Sequence, residues 1–381
     1  MCTLDRAALY RELMAQEEAE GSTSRHLSFL DRGLDSSPFE SDAPAIATRL
    51  ARPLTGPDGD GGEAMPTRGV MPKSIGSAAL SGLDPTIKSA CVVVVRSSRG
   101  EPGVAWHGRN ATANAQFWSA TKIIQAFNLV SLVNEQHPDL EIDQMLLGPA
   151  AGAGPTVQVP QLLKEIVSYE KGVPRSNAGA ETLGRFLKRQ EREAMVEQHT
   201  GHDVTFRGAY GDGSLIARPK LVTRDGQVVA VGPAALGEPG ANLVSAYDMV
   251  RMVAMAAWHP HLTTSRSIAG ARWHSLAVVL KAMGHDSARF VDVAFEKLGL
   301  MGSVSDVVIA TKLGFGISSA SKLAQMTYVG ALQFTDRRHS PPVTRRACFA
   351  LRGEHASAVA LDARMAVEVT DLVRLLANGS L

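Results

Sequence analysis

The stretch FWSATKIIQAFNLVSLVNEQHP, residues 117 to 138, decides which fold we expect. Its apolar residues recur at positions that suit a largely buried helix, and Pro138 marks the end of that helix. The tetrad Ser119-Ala120-Thr121-Lys122 stands where the helix begins. Three residues make close to one helical turn, so the Lys122 amine is expected beside the Ser119 hydroxyl. A nucleophile and a proton acceptor are thus predicted side by side.

This pairing can activate the serine only if the lysine is a neutral amine. A lysine side chain has an ordinary pKa of about 10.4, and lowering that value to neutrality takes roughly 4 kcal/mol from burial or from a second cation. The apolar neighbours Trp118, Ile123 and Ile124 are suited to bury Lys122. The tetrad is short, however, and a serine at a helix start is commonly only a cap. The surrounding sequence has to decide between the two interpretations.

Strand patterns lie on both sides of this helix. Residues 89 to 108 (SACVVVVRSSRGEPGVAWHG) predict a β-hairpin before it. Apolar runs at 305 to 316, 321 to 335 and 346 to 362 predict three strands near the other end, and 366 to 379 predict a closing helix. Helical patterns dominate between these two regions. The order of elements is therefore strands, helices, strands and a helix.

From this order we predict an α/β (α+β) fold, with one antiparallel sheet of about five strands built from both chain ends and flanked by helices. A mainly helical subdomain is inserted between the two strand regions. The predicted catalytic domain is 88–381, with its sheet part in 88–118 and 303–381 and its helical part in 119–302. Residues 1–87 are predicted to be an N-terminal helix followed by a loosely ordered extension, because Gly, Pro, Ser and Asp are frequent there.

Two local features are expected within the helical part. A small hairpin is predicted around the turn Arg224-Asp225-Gly226, because β-like runs flank it. Ser245 is predicted to cap a helix, with Asp248 three residues further on.

Composition narrows the classes of function. The 39 basic and 38 acidic residues leave a formal charge of +1, which gives no general attraction to nucleic acid or to an anionic membrane. No run of eighteen apolar residues occurs, and acidic residues interrupt the N-terminal region where a secretory signal would need an apolar core. We therefore expect a cytoplasmic protein that acts on a small-molecule or peptide substrate. Its oligomeric state cannot be read from the sequence.

The cysteines give no sign of a metal or disulfide framework. Cys2, Cys91 and Cys348 have unrelated spacings and form no cluster with histidine. Cys91 and Cys348 lie in apolar strand-like runs and are expected to be buried thiols. We expect neither a metal nor a cofactor.

Together, the tetrad at 119 to 122, the order of elements and the strand sequence Thr311-Lys312-Leu313-Gly314-Phe315-Gly316 resemble the superfamily of serine β-lactamases and penicillin-binding DD-peptidases. The resemblance covers residues from about 89 to the C-terminus. It implies that Ser119 is the nucleophile, Lys122 its base and Lys312 a second cation on the neighbouring strand.

The resemblance also implies an oxyanion hole made by the backbone N–H groups of Ser119 and Phe315. Gly314 would allow the strand to approach the substrate closely. The alternative for Gly314-Phe315-Gly316 is a bulge or a turn at a strand end, and the two interpretations are compatible.

The second motif of this family, serine, any residue, asparagine, is only approximately present, in Arg175-Ser176-Asn177. One alignment makes Ser176 the proton shuttle to the leaving group and leaves Asn177 as a contact to a substrate carbonyl. The other alignment places Arg175 in the serine position. Ser176 is equally well explained as the cap of a helix beginning near residue 178. Tyr169 and Tyr210 are further candidates, since some family members use tyrosine in this role.

Two departures from the family pattern bear on the substrate. Leu313 stands where the family usually has a hydroxyl residue that binds a substrate carboxylate, and residues 207 to 242 lack the glutamate loop that deacylates class A β-lactamases. We therefore predict a serine hydrolase or acyltransferase acting on an ester or amide through an acyl-Ser119 intermediate, for example in specialised metabolism. The alternatives are a β-lactamase or DD-peptidase, and a catalytically degenerate fold-mate that binds a ligand.

Overall fold

The computed structural model describes residues 4–53, 62–97, 101–151, 154, 156–168, 176–211 and 213–381. The N-terminal part contains α1 (Arg6–Ala19), α2 (Ile46–Ala51), β1 (Glu63–Ala64), β2 (Ile87–Ser97), β3 (Gly103–Arg109) and β4 (Ala115–Gln116). The middle part contains α3 (Lys122–Gln136), β5 (Leu146–Pro149), β6 (Val157–Gln158), α4 (Val159–Ser168), α5 (Ser176–Gly184), α6 (Arg189–Thr200), β7 (Thr205–Phe206), β8 (Pro219–Val222), β9 (Val228–Val231), β10 (Asn242–Val244), α7 (Ala246–Ala257), α8 (Trp273–Met283) and α9 (Phe290–Lys297). The C-terminal part contains β11 (Val304–Ile317), β12 (Ala324–Asp336), β13 (Val343–His355) and α10 (Ala358–Ala377).

The main sheet joins the two ends of the chain. Its strand order is β1-β3-β2-β13-β12-β11, and every neighbouring pair is antiparallel. The link between the N-terminal hairpin and the C-terminal strands is the β2–β13 pair, in which Cys91 lies opposite Ala350. The predicted fold class is confirmed. Five long strands from the two ends of the chain form the sheet, the two-residue strand β1 is added at one edge, and the helical insertion lies between the two groups of strands in the sequence. Strand β11 is the opposite edge strand.

Alternation along the strands divides the core into two layers. Cys91 and Val93 of β2 belong to the layer that contains α3, α7 and α8, whereas Val92 and Val94 belong to the layer that contains α9 and α10. This is the period of two that a strand buried on both faces requires. Helix α3 is buried around most of its circumference. Helices α3, α7 and α8 of the insertion therefore pack against one face of the sheet, whereas α9 packs against the other face with α10.

The N-terminal segment differs from the prediction of a loosely ordered extension over residues 4–53 and 62–87. Helix α1 packs along α10, and Leu9 and Leu13 are buried in the second core layer. The Arg6 guanidinium pairs with the buried Glu368 carboxylate of α10. Widely spaced apolar residues anchor this segment, and a composition rich in Gly, Pro and Ser conceals them. Residues 54–61 of the predicted linker lie outside the described residues.

The two local predictions in the helical part are confirmed. Strands β8 and β9 form the small hairpin, with Leu221 opposite Ala230. Ser245 caps α7: its side chain accepts a hydrogen bond from the N–H of Asp248, whose carboxylate in turn accepts from the N–H of Ser245. The local sequence signals were sufficient here because each feature is stabilised within a few residues.

The described cysteines are buried free thiols, as their apolar surroundings predicted. Cys91 and Cys348 are both fully buried within the sheet. Burial raises the pKa of each thiol well above its usual range, which keeps both in the unreactive protonated form. Cys2 lies outside the described residues. Within the part of the chain that the structure describes, no helix is both long enough and apolar enough to cross a bilayer.

A buried histidine makes the stability of this fold depend on pH. His199 of α6 accepts a hydrogen bond from the N–H of Ala269 at 2.9 Å through Nε2, so its Nδ1 carries the proton that faces the Met195 carbonyl. Burial lowers the pKa of His199 to about 4 from its ordinary 6.5. The unfolded chain therefore binds this proton first, and stability that is complete above pH 6.5 is lost as the pH falls towards 4.

We expect this histidine to account for up to about 3 kcal/mol of stability lost between pH 7.5 and pH 4.5. Urea unfolding at both pH values should show a smaller loss for His199→Gln than for the wild type. The exposed, non-titrating neighbour Gln198 provides the control, because Gln198→Ala should keep the wild-type pH dependence. Equal pH dependence of wild type and His199→Gln would contradict the expectation.

Candidate active site

A cavity of about 360 Å³ lies where the end of β11 meets the turn before α3. Its described lining consists of Gln116, Trp118, Ser119, Asn177, Ala209, Tyr210, Gly211, Asn242 and Phe315. Four residues predicted from the sequence, Ser119, Asn177, Tyr210 and Phe315, thus share one cavity, although they come from four separate parts of the chain. The fold brings them together because β11 is the edge strand beside α3.

Ser119 lies on a strained turn. Residues Trp118–Thr121 form a single 3₁₀ turn that leads into α3, and Ser119 is half-buried at the cavity wall. Trp118, immediately before it, has a φ of 49°, in the left-handed region that a bulky residue rarely adopts. Such a conformation costs on the order of 1–3 kcal/mol and persists only where the surroundings enforce it. The strain favours a functional role for this turn over a simple helix cap.

Lys122 is fully buried next to Tyr210, a residue of the cavity wall. Its Nζ donates a hydrogen bond to Ser176 Oγ at 2.9 Å. Ser176 Oγ in turn donates to the carbonyl of Ile166 at 2.8 Å. Of the two hydroxyl residues of the predicted constellation, Ser176 contacts the amine directly, and Ser119 stands three residues before Lys122 in the turn that leads into α3.

This geometry separates the interpretations of the second motif. Ser176 is the first residue of α5 and is buried, and its hydroxyl is engaged with Lys122 and Ile166. That hydroxyl is therefore used for the lysine, and not merely for capping. Asn177 points to the cavity instead, with its amide near Gly211. Tyr169 and Arg175, the other candidates, lie outside the described residues.

Tyr210 contacts both the turn Trp118–Thr121 and Lys122. Its hydroxyl lies 3.0 Å from Thr121 Oγ1, and its ring centre is 5.9 Å from Lys122 Nζ. Burial raises the pKa of the Tyr210 phenol to about 12, so the phenol is protonated at neutral pH. Tyr210, a candidate from the sequence, lies in the wall of the cavity that contains Ser119, but its contact with Thr121 had no signal in the sequence.

Strand β11 packs directly against the turn Trp118–Thr121. A Cβ atom added at Gly314 would lie 2.5 Å from the carbonyl oxygen of Phe117 and 2.9 Å from the nitrogen of Ala120. One added at Gly316 would meet the ring of Trp118 at 2.5 Å. Only glycine permits this approach. Gly314 and Gly316 of the predicted strand sequence are therefore required by the contact between β11 and the turn.

Lys312 is fully buried on β11, and its Nζ donates to the carbonyl of Leu313 at 2.9 Å. It is not among the described residues that line the cavity. The carboxylate of Asp286 lies near Lys312 and was not predicted from the sequence. Burial raises the pKa of Asp286 to about 6, and the charge of Lys312 opposes that rise. The side chain of Leu313 packs into the second core layer.

Among the residues that the structure describes, no group of three or more His, Cys, Asp or Glu side chains is placed to hold a metal ion.

Solved structures similar to this chain include β-lactamases. A class A beta-lactamase from Bacteroides cellulosilyticus matches with 13% identity and a TM-score of 0.47, over 77% of this chain and 92% of that chain. A beta-lactamase from Chitinophaga pinensis matches with 12% identity and a TM-score of 0.46, over 80% and 96% of the two chains. One from Burkholderia vietnamiensis matches with 12% identity and a TM-score of 0.46, over 80% and 98%.

No protein-family model and no curated protein sequence matches the chain. At such identities and TM-scores, similarity alone assigns no activity to it.

Proposed function

We propose that the protein is a serine hydrolase or acyltransferase that acts on an ester or amide through an acyl-Ser119 intermediate. One observation carries the proposal: a fully buried lysine amine, hydrogen-bonded to Ser176, stands three residues after Ser119, whose strained turn forms part of the cavity wall. A structural lysine is rarely buried in this way. In the proposed reaction Lys122 acts as a neutral amine, because only the neutral form can accept a proton from serine.

The proposed reaction begins with proton transfer from Ser119 Oγ to Lys122 Nζ as Oγ attacks the substrate carbonyl carbon. The backbone N–H groups of Ser119 and Phe315 stabilise the oxyanion of the tetrahedral intermediate. Lys122 then returns the proton through Ser176 to the leaving oxygen or nitrogen, the bond to that atom breaks, and the acyl group remains on Ser119. Water or another acceptor takes the acyl group and restores the free enzyme.

The substrate is proposed to be a small molecule or a peptide whose carbonyl contacts Asn177. Leu313 offers no hydroxyl to a substrate carboxylate, and its side chain faces the core. This favours a substrate other than a penicillin or a peptide with a terminal D-Ala-D-Ala. A β-lactamase or DD-peptidase, and a ligand-binding protein without turnover, remain the competing proposals.

Labelling by a fluorophosphonate and by a fluorescent penicillin separates these three proposals. We expect the fluorophosphonate to add one label to the wild type, measured by intact mass, and none to Ser119→Ala, because the phosphonyl group reacts only with an activated serine. Ser24→Ala, which changes an exposed serine in the N-terminal segment, should label like the wild type.

Each labelling pattern supports or contradicts one proposal. Labelling by the fluorophosphonate alone supports the esterase or amidase, and labelling by both reagents at Ser119 supports the lactamase or DD-peptidase. Labelling by neither reagent would contradict an enzymatic function and favour the ligand-binding fold-mate.

A further inference from the structure

The strained turn that carries Ser119 is held from two sides. On the side of the sheet, the indole Nε1 of Trp118 donates to Gln325 Oε1 at 3.0 Å, and the amide of Gln325 donates to Glu354 at 3.0 Å. On the other side, Thr121 Oγ1 donates to the carbonyl oxygen of Trp118 at 2.8 Å. The left-handed residue is therefore fixed at its side chain and at its carbonyl group.

Tyr210 extends the second of these restraints. A threonine hydroxyl has one proton, and Thr121 uses that proton towards the Trp118 carbonyl. In the 3.0 Å pair between Thr121 and Tyr210, the phenol must therefore be the donor. The Tyr210 phenol keeps its proton at neutral pH because burial raises its pKa to about 12. The hydrogen bonds thus run in one direction, from Tyr210 through Thr121 to the Trp118 carbonyl.

The end of this chain of hydrogen bonds is the peptide group that precedes the nucleophile. The carbonyl of Trp118 and the N–H of Ser119 belong to one planar peptide unit, so fixing the carbonyl also fixes the direction of the N–H. That N–H is one of the two oxyanion donors in the proposed mechanism, and oxyanion donors are effective only when preorganised.

We propose that Tyr210 and Thr121 are positioning residues that hold the Trp118–Ser119 peptide plane in the orientation required for acylation of Ser119. The proposal rests on the proposed function. It assigns to Tyr210 a role through the backbone of the nucleophile turn, in addition to its place in the cavity wall.

Single-atom changes can test this role. Tyr210→Phe removes the hydroxyl but keeps the ring over Lys122, and Thr121→Val removes the other hydroxyl at similar volume. We expect each to lower the maximal labelling rate, kinact, for a fluorophosphonate about tenfold, with KI changed less than twofold. The double variant should be no slower than the slower single variant, because both changes break one chain of hydrogen bonds. Thr121→Ser, which keeps the hydroxyl, should retain the wild-type rate.

Two controls repeat the same chemical changes away from the cavity. Tyr247→Phe removes a buried hydroxyl that donates to the Thr200 carbonyl at 2.7 Å, and Thr370→Val removes one that donates to the Ala366 carbonyl at 2.7 Å. Both should label at the wild-type rate, which shows that loss of a buried hydroxyl is not by itself sufficient.

The outcomes separate this proposal from the proposed function. Wild-type labelling at Ser119 with an unchanged kinact in Tyr210→Phe, or an effect on KI alone, would overturn only the positioning role. A strictly multiplicative loss in the double variant would also overturn it, because the two hydroxyls would then act independently. Absence of wild-type labelling would overturn both proposals together.

Discussion

Lys122→Met is expected to lower the rate of fluorophosphonate labelling about 1000-fold while leaving the protein folded. The amine is the proposed base, and general base catalysis typically contributes between about 100-fold and 10,000-fold. Methionine has a similar length and fits an apolar, fully buried position. Labelling rate and thermal unfolding should be measured on the same preparation.

The matched control is Lys88→Met, which removes an exposed lysine whose Nζ donates to the Pro85 carbonyl. It should label at the wild-type rate. Should Lys122→Met also label at the wild-type rate, Lys122 would not be the base. A large fall in its melting temperature would instead indicate that the amine is retained for stability.

Gly314→Ala is expected to combine a loss of stability with a loss of labelling. The new methyl group would meet backbone atoms of Phe117 and Ala120 at 2.5 and 2.9 Å, and backbone atoms cannot rotate out of the way as a side chain can. Either β11 or the nucleophile turn has to move. We expect a destabilisation of about 2–4 kcal/mol in urea unfolding. Labelling should slow at least about 100-fold, since misplacing a reacting group by about 1 Å can cost that much.

Gly302→Ala controls for the substitution itself. No atom lies within 4 Å of a Cβ added at Gly302, which stands shortly before β11. This variant should match the wild type in stability and in labelling. A Gly314→Ala protein with wild-type labelling would show that close packing between β11 and the turn is not needed for the reaction.

The fold was predictable because its strongest signals are local and periodic. The hairpin of β2 and β3, the three C-terminal strands and the buried helix α3 each repeat apolar residues at the period of their own element. The tetrad that begins at Ser119 and the strand that contains Lys312 then fixed which edge of the sheet meets which helix. The resemblance rests on few residues, but it was sufficient to predict the fold because both motifs occur in the expected order along the chain.

The features that could not be predicted from the sequence depend on contacts between residues that are far apart in the chain. The left-handed backbone of Trp118 has no signal in the sequence. Its carbonyl group binds the nearby Thr121, but its side chain binds Gln325, which lies more than 200 positions further along the chain. Asp286 was missed for the same reason: its proximity to Lys312 arises only from tertiary packing. The order in the segment that contains α1 was underestimated, because composition conceals the few buried anchors that hold it.

The central claim is that Ser119, and no other side chain, carries the acyl group. The most direct test is to incubate the wild type with the fluorophosphonate, digest it and locate the modified residue by tandem mass spectrometry. We expect one modified peptide, with the phosphonyl group on Ser119 and its formation greatly slowed in Lys122→Met. A label on any other residue, or an unmodified Ser119 after prolonged incubation, would contradict it.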